Sequence, residues 1–242
     1  MMNNFGLTLT DHPNTITQDE LRNLLTTHGV ICFRGIELTD TDLYDTMSKL
    51  GSVQDFEQQQ APATAADKDN NTIINLHNDD FLGRSRMGWH MDQTYLTTPY
   101  LPIRCLYAPV DPTPGNITSF MDVKTFTSVI EEEYPELLNE QGEYYIDSKK
   151  ENCVIRPIFS YCEHVNLKLF RLDSRMKFIN RTIDFEKFKE VSINASNKAA
   201  KFNIEWSKWD FVIFDNNQCP HRRSAMTGEC RLQRLTSTFW LT

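Results

Sequence analysis

Apolar and polar positions alternate in short blocks along the chain, and the blocks predict many short strands interrupted by a few amphipathic helices. Thr17-Gln18-Asp19-Glu20 has a Ser/Thr-x-x-Glu capping pattern, and Leu21, Leu24 and Leu25 follow at helical spacing. A helix is therefore expected over about 18–27, ended by His28-Gly29. The apolar run Val30-Ile31-Cys32-Phe33 reads as a buried strand. A second helix begins at Thr39-Asp40-Thr41-Asp42, carries Leu43, Met47 and Leu50 on one stripe, and closes at Gly51. Further strands are expected at 72–76, 103–109 and 117–121, then a helix over 123–139 with a break at Pro135. The second half returns to strands at 153–159, 167–172, 211–214 and 232–241, with a polar helical insertion at 185–200. The polar, Ala-rich stretch 54–70 reads as a loop of the kind that lids a binding face, and 78–86 as another loop. Helices around many turn-separated strands argue for a mainly β barrel or sandwich with helical decoration.

Composition narrows the partners more than the fold. At 242 residues and 40% hydrophobic content the chain can bury one sizeable core, so one domain over 1–242 is expected. The net charge of -8 and the lack of a basic run disfavour nucleic acid as a partner. The start of the chain has no charged region followed by an apolar stretch, and no window approaches a membrane span, so a soluble cytoplasmic protein is expected. Oligomerisation is left open. Six cysteines are scattered without a Cys-x-x-Cys, which reads as reduced and mostly buried thiols.

The candidate chemistry sits in Gly88-Trp89-His90-Met91-Asp92-Gln93-Thr94-Tyr95. If this segment is extended, His90 and Asp92 point the same way, and one strand supplies two ligands to a metal ion. His221 is the candidate third ligand. Two histidines and a carboxylate on one face of an octahedral ion leave room for a bidentate acid and dioxygen, as in non-heme Fe(II) oxygenases. Alone, the pair reads more economically as a hydrogen-bonded His and Asp at a polar strand end.

The order of motifs around it alters that balance: His28-Gly29-Val30 and Phe33-Arg34, then Trp89-His90-Met91-Asp92, Thr113-Pro114-Gly115 with Thr118-Ser119-Phe120, Arg156-Pro157-Ile158, and Asp210-Phe211 through Asn216 to His221 stand in an order by which the chain resembles the taurine dioxygenase family of Fe(II)/2-oxoglutarate-dependent oxygenases over nearly its whole length. His28-Gly29-Val30-Ile31-Cys32-Phe33-Arg34 is similar to that family's His-Gly-Val-x-x-Phe-Arg segment, and Trp89-His90-Met91-Asp92 to its Trp-His-x-Asp strand. Thr113-Pro114-Gly115 with Thr118-Ser119-Phe120 resembles its Gly-rich turn and Thr-x-Phe strand, and Arg156-Pro157-Ile158 its His-Pro-Val strand. Trp209-Asp210-Phe211-Val212-Ile213-Phe214-Asp215-Asn216 before His221 resembles its Gly-Asp-x-x-Phe-x-Asn segment.

The resemblance implies a double-stranded β-helix, or jelly roll, in which His90, Asp92 and His221 bind Fe(II) and 2-oxoglutarate and dioxygen are cosubstrates. A small organic molecule, such as a sulfonate, amino acid or other carboxylate, would be hydroxylated with release of succinate and carbon dioxide. A noncatalytic jelly-roll binding protein and a cupin-type metal hydrolase or isomerase are the alternatives. The family anchors the distal carboxylate of 2-oxoglutarate with an arginine after the second histidine, because the guanidinium fork matches a carboxylate. Arg231 and Arg234 both fall there, on opposite faces of an unbulged strand, so only one enters the pocket. One alignment leaves Cys230 at the arginine position; the other puts Arg231 there, and Arg231 is set slightly ahead as anchor. Thr118 is the expected hydroxyl donor to the same carboxylate, and Asn75, Arg86 and Trp89 are expected near the substrate.

Overall fold

Capping chemistry fixes where the first helices begin. The Thr17 hydroxyl accepts the Glu20 amide at 3.3 Å, and Gly29 ends the helix with φ 73°, a conformation that costs glycine little. Thr39 and Asp42 close a reciprocal capping box at the second helix. The structure, a computed structural model, describes residues 4–55, 72–77, 85–96, 101–146, 152–162, 167–173, 176–179, 185–226 and 228–238. In chain order its elements are β1 (Leu7–Leu9), α1 (Gln18–His28), β2 (Val30–Phe33), α2 (Asp40–Ser48), β3 (Ile74–His77), β4 (Met87–His90), β5 (Ile103–Tyr107), β6 (Ile117–Met121) and α3 (Val123–Glu133). There follow β7 (Gln141–Tyr145), β8 (Cys153–Pro157), β9 (Phe159–Cys162), β10 (Leu167–Phe170), β11 (Lys177–Phe178), α4 (Phe185–Lys198), β12 (Lys201–Glu205), β13 (Phe211–Asp215), β14 (His221–Arg223) and β15 (Arg231–Ser237).

Two sheets build the frame. One runs β1-β2-β13-β5-β15-β3 and the other β12-β6-β14-β4; every pairing in them is antiparallel except that of β1 with β2. Side-chain alternation gives the larger sheet two different faces. Ile31, Phe33, Ile103, Cys105, Phe211, Ile213 and Leu235 pack beneath Leu21, Leu25, Leu43 and Met47 of α1 and α2. The opposite face, with Val30, Cys32, Val212, Phe214 and Leu232, meets Phe120 and Ile204 of the smaller sheet in a shared interior. Sheet facing sheet in this way is the jelly-roll arrangement, with no strand pairing that closes it into a barrel among the described residues. A third apolar layer lies outside the smaller sheet, where Met121 meets Phe126 and Ile130 of α3 and Val191 and Ala195 of α4.

Several expectations shift. The segment 185–200 is helical, but α4 packs on α3 and contributes to a core, so it is no polar insertion. The strand expected over 153–159 is divided at Ile158, and β7, β11 and β12 were not foreseen. The break before Pro135 is present: α3 ends at Glu133 and a 3-10 turn follows over Pro135–Asn139. Beyond Asp55 the expected lid loop lies outside the described residues. No helix among the described residues is long and apolar enough to cross a membrane.

Candidate metal centre

Strand pairing brings the two histidines together. His90, the last residue of β4, is the cross-strand partner of His221, the first of β14, and their rings stand 4.4 Å apart. Asp92 joins them by a route the sequence did not suggest. The extended segment expected through Tyr95 stops at His90; residues 92–95 form a turn in which Gln93 has φ 56°, and this turn folds the carboxylate back. Asp92 Oδ1 lies 3.7 Å from His90 Nε2, and Oδ2 lies 3.9 Å from His221 Nε2. Those gaps are too long for hydrogen bonds, which weighs against an ordinary His–Asp pair. They suit donors sharing one ion at about 2 Å from each. All three donor atoms lie within 4.8 Å of one another.

The other side of each ring fixes its tautomer. His90 Nδ1 is 2.9 Å from the Gly88 carbonyl and His221 Nδ1 is 3.2 Å from that of Cys219. A carbonyl can only accept, so each Nδ1 carries the proton and each Nε2 lone pair is left for a metal. Asn216, in the turn between β13 and β14, clamps the backbone of Asp92 from both sides: its Oδ1 accepts the Asp92 amide at 3.0 Å and its Nδ2 donates to the Asp92 carbonyl at 2.8 Å. Asn217 does the same for Leu101 at 2.7 and 2.9 Å. Arg171 steadies the turn that follows Asp92, donating to the Thr94 carbonyl at 2.8 Å.

Two arginines set the electrostatics. The buried Arg104 of β5 places Nε 2.8 Å from Asp92 Oδ2 as an ion pair, without the N–H aligned for a hydrogen bond, and donates from Nη1 to Thr236 at 2.8 Å. Burial alone would raise the pKa of Asp92, but Arg104, then His221, His90 and Arg234, outweigh it and hold the carboxyl well below the usual range. Burial, with His90 adding to it, pushes His221 down to about 3 against the pull of Asp92. At neutral pH Asp92 is thus ionised and His221 neutral, the forms in which they ligate metals. Burial and the nearby Arg104 lower Arg234 to about 9, so it remains a cation, and its Nε has no hydrogen-bond partner among the described residues.

The remaining sequence candidates are scattered. Arg234 shares the interior face of β15 with Leu232 and Thr236, whereas Arg231 is exposed and pairs with Glu229 at 2.7 Å. Thr118 is buried on β6 and faces the interior. Asn75 is exposed, on the side of β3 away from the buried Ile74 and Leu76. Arg86 is exposed, and Trp89 turns to the outer side of β4, where the Arg222 guanidinium lies 4.6 Å over its ring. These last three are not brought to the triad. Arg104 went unnoticed in the sequence, although a single charge inside the apolar run Ile103–Tyr107 is the signal that marks it.

The fold and the site together mark the class: two facing sheets of jelly-roll type with a His-Asp-His cluster that could hold a metal ion. Residues 3–237 match the model of the family described as taurine catabolism dioxygenase TauD, TfdA family, and the chain belongs to that family. It is accordingly an Fe(II)- and 2-oxoglutarate-dependent dioxygenase. Nothing matches among curated protein sequences. Among solved structures, the fold is similar to that of PvcB from Pseudomonas aeruginosa, at 17% identity, over 96% of this chain and 86% of that one, with a TM-score of 0.72. A second PvcB structure, at 18% identity with the same coverage and TM-score, is described as an Fe, alpha-ketoglutarate dependent oxygenase from an isonitrile synthetic pathway. A taurine dioxygenase from Burkholderia xenovorans is 13% identical over 92% of this chain and 80% of that one, with a TM-score of 0.68.

Proposed function

We propose that the chain hydroxylates a small organic anion, with His90, Asp92 and His221 as the iron ligands. The observation that carries this reading is the charge at the triad. Arg104 and Arg234 set two guanidinium groups against the single carboxylate of Asp92, so the pocket is positive before any metal is added. A divalent ion deepens the imbalance, and anionic occupants restore it. One is the keto acid. The other is a substrate with a carboxylate or sulfonate, for which Arg234 offers a planar fork.

Bound Fe(II) with 2-oxoglutarate and dioxygen supplies the oxidation, in which the keto acid becomes succinate and carbon dioxide and one oxygen atom enters a C–H bond of the substrate. The protein's contribution is placement. Arg104 holds one oxygen of Asp92 and so directs how the carboxylate is presented. Asn216 keeps the Asp92 backbone in place, and the Gly88 and Cys219 carbonyls keep both imidazoles turned the same way. Arg234 orients the substrate's anionic end, and Phe120 and Phe214, packed against His221, exclude water from that side.

The test has two stages. Anaerobic titration of Fe(II)-loaded protein with 2-oxoglutarate is expected to give a weak visible metal-to-ligand charge-transfer band, and its absence sinks the reading. In air, small carboxylates and sulfonates should stimulate succinate formation more than neutral analogues of the same size, and Arg234→Gln should erase that preference.

A further inference from the structure

The outer face of the smaller sheet carries a cationic locus that the cleft does not use. Ser119 of β6 stands opposite Arg222 of β14 on one side and Asn203 of β12 on the other. Their chain neighbours Phe120 and His221 point inward and lie against one another, so this row points outward. Trp89 of β4 ends the row, with the Arg222 guanidinium 4.6 Å over its ring. A β-bulge adds one more residue. From the His221–His90 pair to the Arg223–Met87 pair β14 advances two positions and β4 three, so Met87 lies on the inner side with Arg223 and Arg86 falls outward beside Arg222. From within, Arg223 steadies this start of β4 by donating to the Ser85 carbonyl at 3.1 Å.

Two guanidinium groups thus share one face, and among the described residues neither has a carboxylate partner. Burial, and after it the charge of Arg86, lowers the pKa of Arg222. Lys201 and Glu205 flank Asn203 on the outward side of β12 and offset one another. The Ser119 hydroxyl makes no hydrogen bond to a described residue. In a chain of net charge -8, a pair of unneutralised arginines is a local exception that selects for an anion. We infer that this outer face binds a phosphate monoester through Arg86 and Arg222, at a site separate from the metal cleft. A dianion matches the two charges, and its three terminal oxygens accept from two planar forks and the Ser119 hydroxyl, whereas a carboxylate or a phosphodiester brings a single charge. Trp89 and Arg222 are the chain neighbours of His90 and His221, yet strand parity turns them to the other side of the sheet, so the cleft and the outer face hold their ligands at the same time.

The experiment compares methyl phosphate with dimethyl phosphate, which present the same tetrahedral head as a dianion and as a monoanion at about pH 7.5. Each is titrated by calorimetry into the full-length chain loaded anaerobically with Fe(II) and 2-oxoglutarate, so that the cleft is filled, and the charge-transfer band is followed alongside. One methyl phosphate should bind per chain, at least about 10-fold more tightly than dimethyl phosphate, with the band unchanged. Arg222→Gln and Arg86→Gln should each weaken methyl phosphate by about 10-fold and leave iron stoichiometry as it is. Arg86 is exposed, so Arg86→Gln decides the matter even where Arg222→Gln does not fold. Failure of methyl phosphate to bind, equal affinity for the two ligands, or an affinity indifferent to Arg86→Gln overturns the site. A band displaced by methyl phosphate overturns it as well, because the ligand then sits in the cleft.

Discussion

The two faces of β5 and β15 have opposite contents. Ile103, Cys105, Tyr107 and Leu235 point beneath α1 and α2 into a layer without charge, while Arg104, Arg234 and Thr236 point into the cleft beside Asp92. The same backbone carries both sets, separated only by strand parity. Each large apolar side chain buried on the helical side contributes about 1.5–3 kcal/mol. On the cleft side Arg104 is buried and paired with Asp92, an arrangement that stabilises the fold little. Stability and chemistry are thus sorted residue by residue along single strands.

Substitutions on the two faces should have different signatures. The largest effect belongs to His90→Ala, which should abolish stoichiometric Fe(II) binding, while the denaturant midpoint of the metal-free protein stays near that of the natural chain. Joint loss of iron and fold would mean that His90 is a structural residue. Phe211, fully buried against Phe33 and Tyr107, should show the converse. Phe211→Ala is expected to cost about 3–5 kcal/mol in chemical denaturation, with the folded fraction still binding one iron per chain. Asp92→Ala should blur the division, because it removes a proposed metal ligand and also strands Arg104 in the interior. A destabilisation of about 3 kcal/mol is expected in the metal-free protein, and adding Arg104→Met should recover most of it. Recovery of neither stability nor midpoint by the second change would show that the ion pair carries little of that cost.

The smallest effect lies far from the cleft, at the α2 capping box. The Asp42 carboxylate accepts the Thr39 hydroxyl at 2.6 Å and the Thr39 amide at 2.9 Å, and these bonds lower its pKa. A lowered folded-state pKa stabilises above the unfolded value and is lost as the pH falls through the folded one. The stability deficit of Asp42→Asn should therefore be full at neutral pH and shrink below about pH 4. A deficit constant with pH would point to shape and not charge.

What the sequence revealed follows from which forces act locally. α1 and β2 were readable almost to the residue because Thr17, Gly29 and the apolar run Val30–Phe33 act within a few positions. By contrast, β12 (Lys-Phe-Asn-Ile-Glu) is a polar segment whose strand state comes from a partner far along the chain, with Phe120 opposite Phe202, and β7 (Gln-Gly-Glu-Tyr-Tyr) is held between its neighbour β8 and the distant β11, whose Lys177 stands opposite Glu143. His90, Asp92 and His221 were legible as a set, although the turn that delivers Asp92 was not, since nothing in Met91-Asp92-Gln93 announces a left-handed Gln93. Between Arg231 and Arg234 only the strand register decides, setting Arg234 on the interior face of β15 and leaving Arg231 exposed beside Glu229.

The Asn216 clamp also bears on the order of events as the chain folds. Asp92 is fastened by a residue 124 positions later, and His90 pairs with a strand that follows the same turn. Contacts so distant in sequence close late, after the loop entropy between them has been overcome. His90, Asp92 and His221 therefore come into register only once β13 and β14 have docked. With these three residues as the proposed iron ligands, the rate at which the metal-free chain acquires tight Fe(II) binding during refolding is expected to report the docking of β13 and β14.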